Sequence, residues 1–479
     1  MEVTSQRFTS KVRQALADPQ LQHALGQAGP RFNLARQAAF ASFPEGETLR
    51  DLGRDIKAAT LAELDRYLAQ LADAVEAAGG EVHWAADASE ARQIIVGLAN
   101  RYDARKVVKS KSMTTEEIGL NAALEAAGIE PLETDLGEYI IQLAGEAPFH
   151  IIAPALHKTR EEVTELFMEK LGSRRLETRE ALTQEARRIL RDGFRQADLG
   201  ISGVNFAVAE TGTIAVVENE GNARLSTSLP RVHIAVMGME KVIPDLASLG
   251  IFLKILARSA TGQKMSSYTS LITGPRRGDE EDGPEAFHLV VLDNGRSQLL
   301  ADPELREALR CIRCGACLNV CPIYRHAGGH SYGWVYSGPI GSVITPSLVG
   351  RDQASALPFA SSLCGACRDV CPVRIDLPRM LLAQRRKIVE EAQLQQSASP
   401  DAATPPRRIE RLAVRLFTAT MSSPLRYRWA SRLFYLASRL FRRRLGWWKP
   451  PMISGWTRLR QVPVPAQETF RQRWARRAR

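Results

Sequence analysis

Cys311-Ile-Arg-Cys-Gly-Ala-Cys-Leu-Asn-Val-Cys-Pro322 is the stretch on which the reading of this 479-residue chain turns. Its cysteines fall at 311, 314, 317 and 321, with proline directly after the last. A second copy, Cys364-Gly-Ala-Cys-Arg-Asp-Val-Cys-Pro372, supplies Cys364, Cys367 and Cys371. Aligned, the two copies set Cys311 over Ser361, and no cysteine lies outside the array. Three thiolates spaced by two residues let a tight loop wrap three corners of a cubic [4Fe–4S] cluster. The fourth ligand comes from a distant segment, in two-cluster ferredoxins from the other motif. Small residues such as Gly315, Ala316, Gly365 and Ala366 let backbone N–H groups approach the sulfurs.

By that crossed rule Cys311, Cys314, Cys317 and Cys371 are expected to hold cluster one. Cys321, Cys364 and Cys367 are expected to hold cluster two, which leaves one corner open. Three arrangements fit that corner: Ser361 oxygen as the ligand, an external exchangeable ligand, or a [3Fe–4S] cluster. Zinc fits less well, because its sites use two well-separated C-x-x-C pairs rather than three cysteines crowded within seven residues. Disulfides fit poorly too. The cysteine count is odd and the N-terminus, Met1-Glu-Val-Thr-Ser-Gln-Arg, has no apolar signal core. The expected setting is therefore the reducing cytoplasm.

Upstream of the array the pattern alternates between helix and strand. Residues 1–59 read as a helical extension, with runs such as Val12-Arg-Gln-Ala-Leu-Ala. From 60 to 300, helices over Leu61–Ala78, Ala88–Tyr102 and Asn121–Ala127 alternate with strands at Val82-His-Trp-Ala, Lys106-Val-Val-Lys, Ile129–Thr134 and His150-Ile-Ile-Ala. Runs rich in β-branched residues come next, at Phe206, Thr213, Val232 and His288. Such alternation predicts a largely parallel sheet covered by helices. Ligands of open α/β sheets bind at strand ends, so the loops holding Glu210, Thr211, Glu218 and Asn222 are candidates. So is Lys109-Ser-Lys111-Ser-Met-Thr-Thr, where Thr114 or Thr115 would cap a helix and Lys109 and Lys111 would attract an anion.

Residues 301–393 read as a two-motif ferredoxin module of the helical kind. Asp302 and Pro303 open a short helix into Cys311, residues 322–360 carry few helical signals, and Asp376 caps a helix to about Gln393. His326 and His330 lie near the first motif, where loop positions are the commoner role. Residues 394–406 read as a linker and 407–479 as a basic helical region. Residues 401–479 hold 19 Lys+Arg against 3 Asp+Glu. The whole chain carries +11, so the other 400 residues sum to −5 and no nucleic-acid partner is expected of them. Ile409, Leu412 and Leu416 share one helical face in the tail, and Trp429, Leu433, Leu436 and Leu440 another. The tail could meet an electron acceptor, a partner or the inner membrane face as a peripheral contact. No Ser/His/Asp set, G-x-S-x-G motif or catalytic carboxylate pair appears.

Taken with Gly-His-Ser-Tyr-Gly-Trp-Val-Tyr-Ser-Gly-Pro-Ile-Gly, Lys-Ser-Lys-Ser-Met-Thr-Thr-Glu-Glu-Ile and Glu-Thr-Gly-Thr…Glu-Asn-Glu-Gly-Asn, the cysteine array resembles that of lactate utilization protein B, over nearly the whole chain. The resemblance implies an α/β N-terminal domain of the sugar-isomerase/CoA-transferase-like fold, an α-helical two-cluster ferredoxin module and a basic C-terminal helical region. It implies two [4Fe–4S] clusters, and action with two partner proteins in oxidising L-lactate to pyruvate for growth on lactate. With no flavin fingerprint or general base in sight, the chain is expected to be the electron-transfer component of that oxidoreductase complex, rather than its lactate-oxidising catalyst. A metabolite-binding redox-regulatory module and a generic iron–sulfur adaptor for another oxidoreductase are the alternatives.

Overall fold

The β-branched runs at Val232 and His288 enter the parallel sheet they predict, whereas those at Phe206 and Thr213 enter a second sheet. In this computed structural model, which describes residues 2–398, 408–442, 468 and 470–477, six strands make one all-parallel sheet. They are β1 (Glu81–Ala85), β2 (Lys106–Lys109), β3 (Glu130–Glu133), β4 (Leu199–Gly203), β7 (Val232–Gly238) and β10 (Ala286–Leu292), in the order β1-β10-β7-β4-β2-β3. Every residue of β7 is buried, as a central parallel strand covered on both faces requires. Successive side chains of β7 serve opposite cores. Ile234 and Val236 pack with Ile95, Leu98 and Leu124 on one face. Ala235 and Met237 join the larger core on the other.

That larger core contains a second sheet that the sequence pattern does not announce. Its strands β5 (Phe206–Val208), β6 (Thr213–Glu218), β8 (Val242–Ile243) and β9 (Tyr268–Ile272) run in the order β8-β5-β6-β9. The pairs β5–β6 and β6–β9 are antiparallel and β5–β8 is parallel. The runs at Phe206 and Thr213 mark β5 and β6 as strands but not their separate sheet, and β8, two residues long, is too short to show a period.

The same core continues without a break into the cysteine module: Phe252 and Ile255 belong to it, and so do Leu318, Tyr332, Cys314 and Cys371. The N-terminal helices Phe8–Ala17, Pro19–Ala41 and Gly46–Ala62 lie across this junction. Arg50, only 4 % exposed, donates from the third of them to the carbonyl oxygens of Cys371 and Asp369. Lys57, also buried, donates to the carbonyl oxygens of Glu240 and Val242.

Several expectations are corrected. His150-Ile-Ile-Ala is not a strand. Pro148 and Pro154 flank it, and the imidazole Nδ1 of His150 accepts the N–H groups of Ile152 (3.1 Å) and Ala153 (3.4 Å), which closes a local turn instead of a ladder. The helix expected from Leu61 starts at Leu64, after a break at Glu63. The helix Met113–Glu117 is capped by Ser112, whose Oγ accepts from Thr115 N, rather than by Thr114 or Thr115. Asp302 does cap Glu304 N, but the chain then makes a turn and a 3-10 helix, Arg306–Arg310, in place of the expected α-helix. The stretch 322–360 is largely helical, with Gly338–Val349 as its main element and Pro339 seated in the first turn, where a missing N–H costs nothing.

The helix capped by Asp376 runs Leu377–Ala398, into the stretch expected as linker, and residues 399–407 lie outside the described residues. Residues 1–391 form one compact unit and 392–479 a second. In the second, Arg408–Met421 and Pro424–Arg442 are helices, and Leu412, Leu416, Trp429, Leu433 and Leu436 are exposed. No helix among the described residues is long and apolar enough to cross a membrane.

Candidate iron–sulfur centre and adjoining cavity

Each cysteine loop is shaped by a residue in the left-handed region. Gly315 (φ 72°) and Gly365 (φ 88°) come directly after Cys314 and Cys364 and start short helices. At Gly315 a Cβ would sit 2.9 Å from Ile152 Cδ1, so glycine serves both conformation and closeness. Arg313 (φ 58°) and Leu363 (φ 55°) hold the same left-handed conformation without being glycine, a local strain imposed by the loops.

Cys311, Cys314, Cys317 and Cys371 line one cavity, together with Ile312, Val373 and other apolar side chains. Cys321, Cys364 and Cys367 are one another's electrostatic neighbours. Cys317 feels both Cys371 and Cys367, so the two sets lie side by side. Backbone N–H groups point at the sulfurs: Arg313 N to Cys311 Sγ (3.4 Å), Tyr324 N to Cys321 Sγ (3.5 Å) and Ile375 N to Cys371 Sγ (3.4 Å).

Burial pushes the Cys314 and Cys317 thiols up, helped by neighbouring thiols. It lifts Cys367 to about 12 and Cys371 to about 11. A nest of buried thiols with N–H donors aimed at sulfur suits a metal–sulfide cluster, whose iron ions would hold the thiolates deprotonated. The residues present fit such a group. Ser361 is half-buried and its Oγ accepts the Leu363 N–H at 3.1 Å. His326 and His330 stay outside: His326 faces Gln22, and His330 Nε2 meets the Ala147 carbonyl oxygen at 2.8 Å.

A second, larger cavity of about 220 Å³ adjoins the first, and Cys314 and Arg313 line both. It opens past the carboxyl ends of β2, β4 and β7, where ligands of parallel sheets bind. Of the six residues expected to form an anion site, Lys111, Glu218 and Asn222 line it. The other three do not. Lys109 is fully buried between Glu116 and Glu133, 2.7 Å from each. Thr211 hydrogen-bonds Thr213 in the β5–β6 turn, and exposed Glu210 approaches Leu246 N.

Three residues that sequence reasoning passed over complete the wall: Lys241, Arg313 and Tyr336. Lys241 lies just past the end of β7, the position the strand-end rule singles out. Arg313 was hidden as one of the two spacers between Cys311 and Cys314. Its guanidinium lies 4.4 Å from the Tyr336 ring centroid, and its Nη2 reaches Glu240 Oε1 at 3.3 Å.

Behind them runs a buried charge network. Arg296 makes a bidentate pair with Glu117 (2.9 and 2.7 Å) and donates from Nε to Glu240 (2.6 Å). Tyr336 and Asn294 also donate to Glu117. Burial opposes charge on Glu240, yet Arg296, Arg313 and Lys241 bring it down to about 2. For Lys241 burial wins over Glu240 and lowers the ammonium to about 8.

Thiol nests fused to a parallel α/β sheet define an iron–sulfur protein of the two-motif ferredoxin kind. The family comparisons agree: the LUD domain matches residues 68–292, the 4Fe-4S dicluster domain 307–375, and Lactate utilisation protein B, C-terminal, 388–479. Lactate utilization protein B of Shouchella clausii (strain KSM-K16) is 46 % identical over 473 residues, 98 % of this chain and 97 % of that one. The protein of that name from Bacillus thuringiensis (strain Al Hakam) is 45 % identical over the same shares of the two chains. The chain belongs to the lactate utilization protein B family. A crystal structure of a DUF162 family protein from Deinococcus radiodurans superposes on 48 % of this chain and 98 % of its own, at 16 % identity and TM-score 0.28, too loosely to bear on the site.

Proposed function

We propose that this chain is the iron–sulfur electron-transfer subunit of a complex that oxidises L-lactate to pyruvate, acting with two other lactate-utilization proteins. Cys311, Cys314, Cys317 and Cys371 would hold cluster one, and Cys321, Cys364 and Cys367 cluster two. Ser361 Oγ is the group set for the remaining corner. Each bound cluster would supply one-electron redox chemistry. Oxidation of L-lactate to pyruvate releases two electrons and two protons, so two adjacent one-electron centres suit its electron count.

The observation that carries this reading is that the two thiol sets lie side by side, one with a member on the cavity wall and the other with a member at the surface. Buried Cys314 borders the cavity, while Cys364 is exposed at the surface. Electrons could enter at the buried end and leave at the exposed one. The step that breaks the lactate C–H bond is assigned to a partner. The basic tail, with its apolar side chains in the open, is assigned to contact with a partner or an anionic membrane face.

The test is anaerobic titration of the purified protein, then mixing with its partners. Two reversible reductions, and reduction by L-lactate only when the partners are present, are expected. Lactate reduction by this chain alone would overturn the relay role.

A further inference from the structure

The cavity beside Cys314 is lined by three cations, Lys111, Lys241 and Arg313, and three carboxylates, Asp135, Glu218 and Glu220, and not every donor there has a partner. Its acids are engaged. Glu218 accepts the Ala223 and Arg224 N–H groups, each at 2.8 Å, and Asp135 caps Gly137 and Glu138 and faces Lys111 at 3.4 Å. Glu220 sits exposed at the rim. Lys111 donates to the Ile152 carbonyl oxygen at 3.0 Å.

Lys241 is different. It is only 8 % exposed, it lines the cavity, and its ammonium, though in the field of Glu240, makes no hydrogen bond or close ion pair among the described residues. Arg313 keeps Nη1 buried and unpartnered, and the hydroxyl of Ser110, on the same wall, is buried and unpartnered too. A cation on the cavity wall and two orphaned donors buried in the residues beside it are costly unless something accepts from them. About 220 Å³ holds a small organic acid with some water and is tight for a nucleotide.

We propose that this cavity binds a small monocarboxylate of the 2-hydroxy or 2-oxo acid class, its carboxylate on Lys241 and Arg313, and that its occupancy is linked to the redox state of the centre held by Cys314. The acid class rests on the lactate reading above, whereas the anion site rests on the cavity alone. The linkage is electrostatic and reciprocal. Reduction adds negative charge beside the site, so it weakens anion binding, and a bound anion makes the neighbouring centre harder to reduce. The proposal concerns binding, and leaves the bond-breaking step with the partner.

The test uses the full-length, anaerobically purified protein with its clusters in place. Calorimetric titration with pyruvate and L-lactate should give one site per chain for at least one acid, tighter in the oxidised than in the reduced protein. Lys241→Gln should weaken it about tenfold or more, the usual effect of losing a charged hydrogen bond. Ser110→Ala, a milder change that reads the same wall should Lys241→Gln fail to fold, should weaken it several-fold. Lys106→Gln, on the exposed opposite end of β2, should leave it unchanged. In voltammetry the acid should lower one of two reduction waves and leave the other in place.

Absence of binding for both acids at millimolar concentration, or equal affinity in Lys241→Gln, would overturn the proposal. So would tight binding of inorganic phosphate with no binding of either acid. The relay role fails differently, by clusters that do not reduce reversibly or by lactate reducing the isolated chain.

Discussion

The N–H of Leu363 donates to Ser361 Oγ at 3.1 Å, just as the N–H of Arg313 donates to Cys311 Sγ at 3.4 Å. Both donors stand two residues after their acceptor, and both adopt a left-handed conformation, φ 55° and 58°. The two loops thus share one turn geometry, with an oxygen in the second where the first has a sulfur. The Arg385 guanidinium secures that turn by donating to the Ser361 carbonyl oxygen at 3.1 Å.

A role for that oxygen makes Ser361 sensitive to substitution. Ser361→Cys should give a four-thiolate second cluster and shift only its signal in EPR and voltammetry. Ser361→Ala should leave that cluster with an exchangeable iron, seen as a [3Fe–4S] signal after mild oxidation that added Fe²⁺ reverses. Identical spectra and potentials in wild type and Ser361→Ala would remove Ser361 from the ligand set.

Arg50 ties the N-terminal helices to the second cysteine loop through the Cys371 and Asp369 carbonyl oxygens, with Glu47 on its outer side. Arg50→Ala strands those carbonyls in an apolar junction. The expected loss is about 2 kcal/mol of unfolding free energy, in line with charged hydrogen bonds lost in the interior. Guanidinium unfolding under argon measures it, and iron release to a chelator should quicken in parallel. A variant as stable as wild type would mean that the N-terminal helices only cover the centre.

Five of the six strands of the main sheet were legible, most plainly the apolar run Val232-His-Ile-Ala-Val-Met, whereas β4, Leu199-Gly-Ile-Ser-Gly, escaped because its glycines and serine break the β-branched pattern. The cysteine spacing was legible for a stricter reason, since few other metal sites crowd ligands so closely. His150-Ile-Ile-Ala misled because a side-chain acceptor, invisible to hydrophobic patterning, took the N–H groups a ladder would need. Lys109 and Lys111 looked equivalent in sequence. β2 ends at Lys109, whose ammonium enters the Glu116–Glu133 pair, and the turn that follows leaves Lys111 on the cavity wall. Charge partners distant in sequence separated them, and no local pattern encodes that.

Arg296 is 1 % exposed and holds two buried carboxylates, Glu117 and Glu240, against each other. Arg296→Met would leave both negative charges without their main counter-ion. Breaking a buried pair from one side costs about 3–5 kcal/mol, enough to threaten the fold. Replacing the pair together is milder, so Glu117→Gln with Arg296→Met should recover part of the loss. Unfolding curves for the single and double variants form the cycle that checks it, and additive losses would show the network to be uncoupled.

His233 is fully buried on β7, with Nε2 2.8 Å from Ser202 Oγ, and burial brings its pKa from 6.5 down to about 3, with His288 adding a smaller push. The folded protein therefore keeps it neutral across the range in which the unfolded chain takes up a proton. Its contribution is fully present above pH 6.5 and is lost as pH falls toward 3. Between pH 6.5 and 5.5 this one proton is worth about 1 kcal/mol. His233→Gln cannot take up that proton in either state, so its unfolding free energy should fall less steeply by that amount. Guanidinium unfolding at pH 7.5, 6.5 and 5.5, under argon and with iron content checked at each point, compares the two slopes. Parallel curves would mean that His233 is protonated in the folded protein as readily as in the unfolded chain.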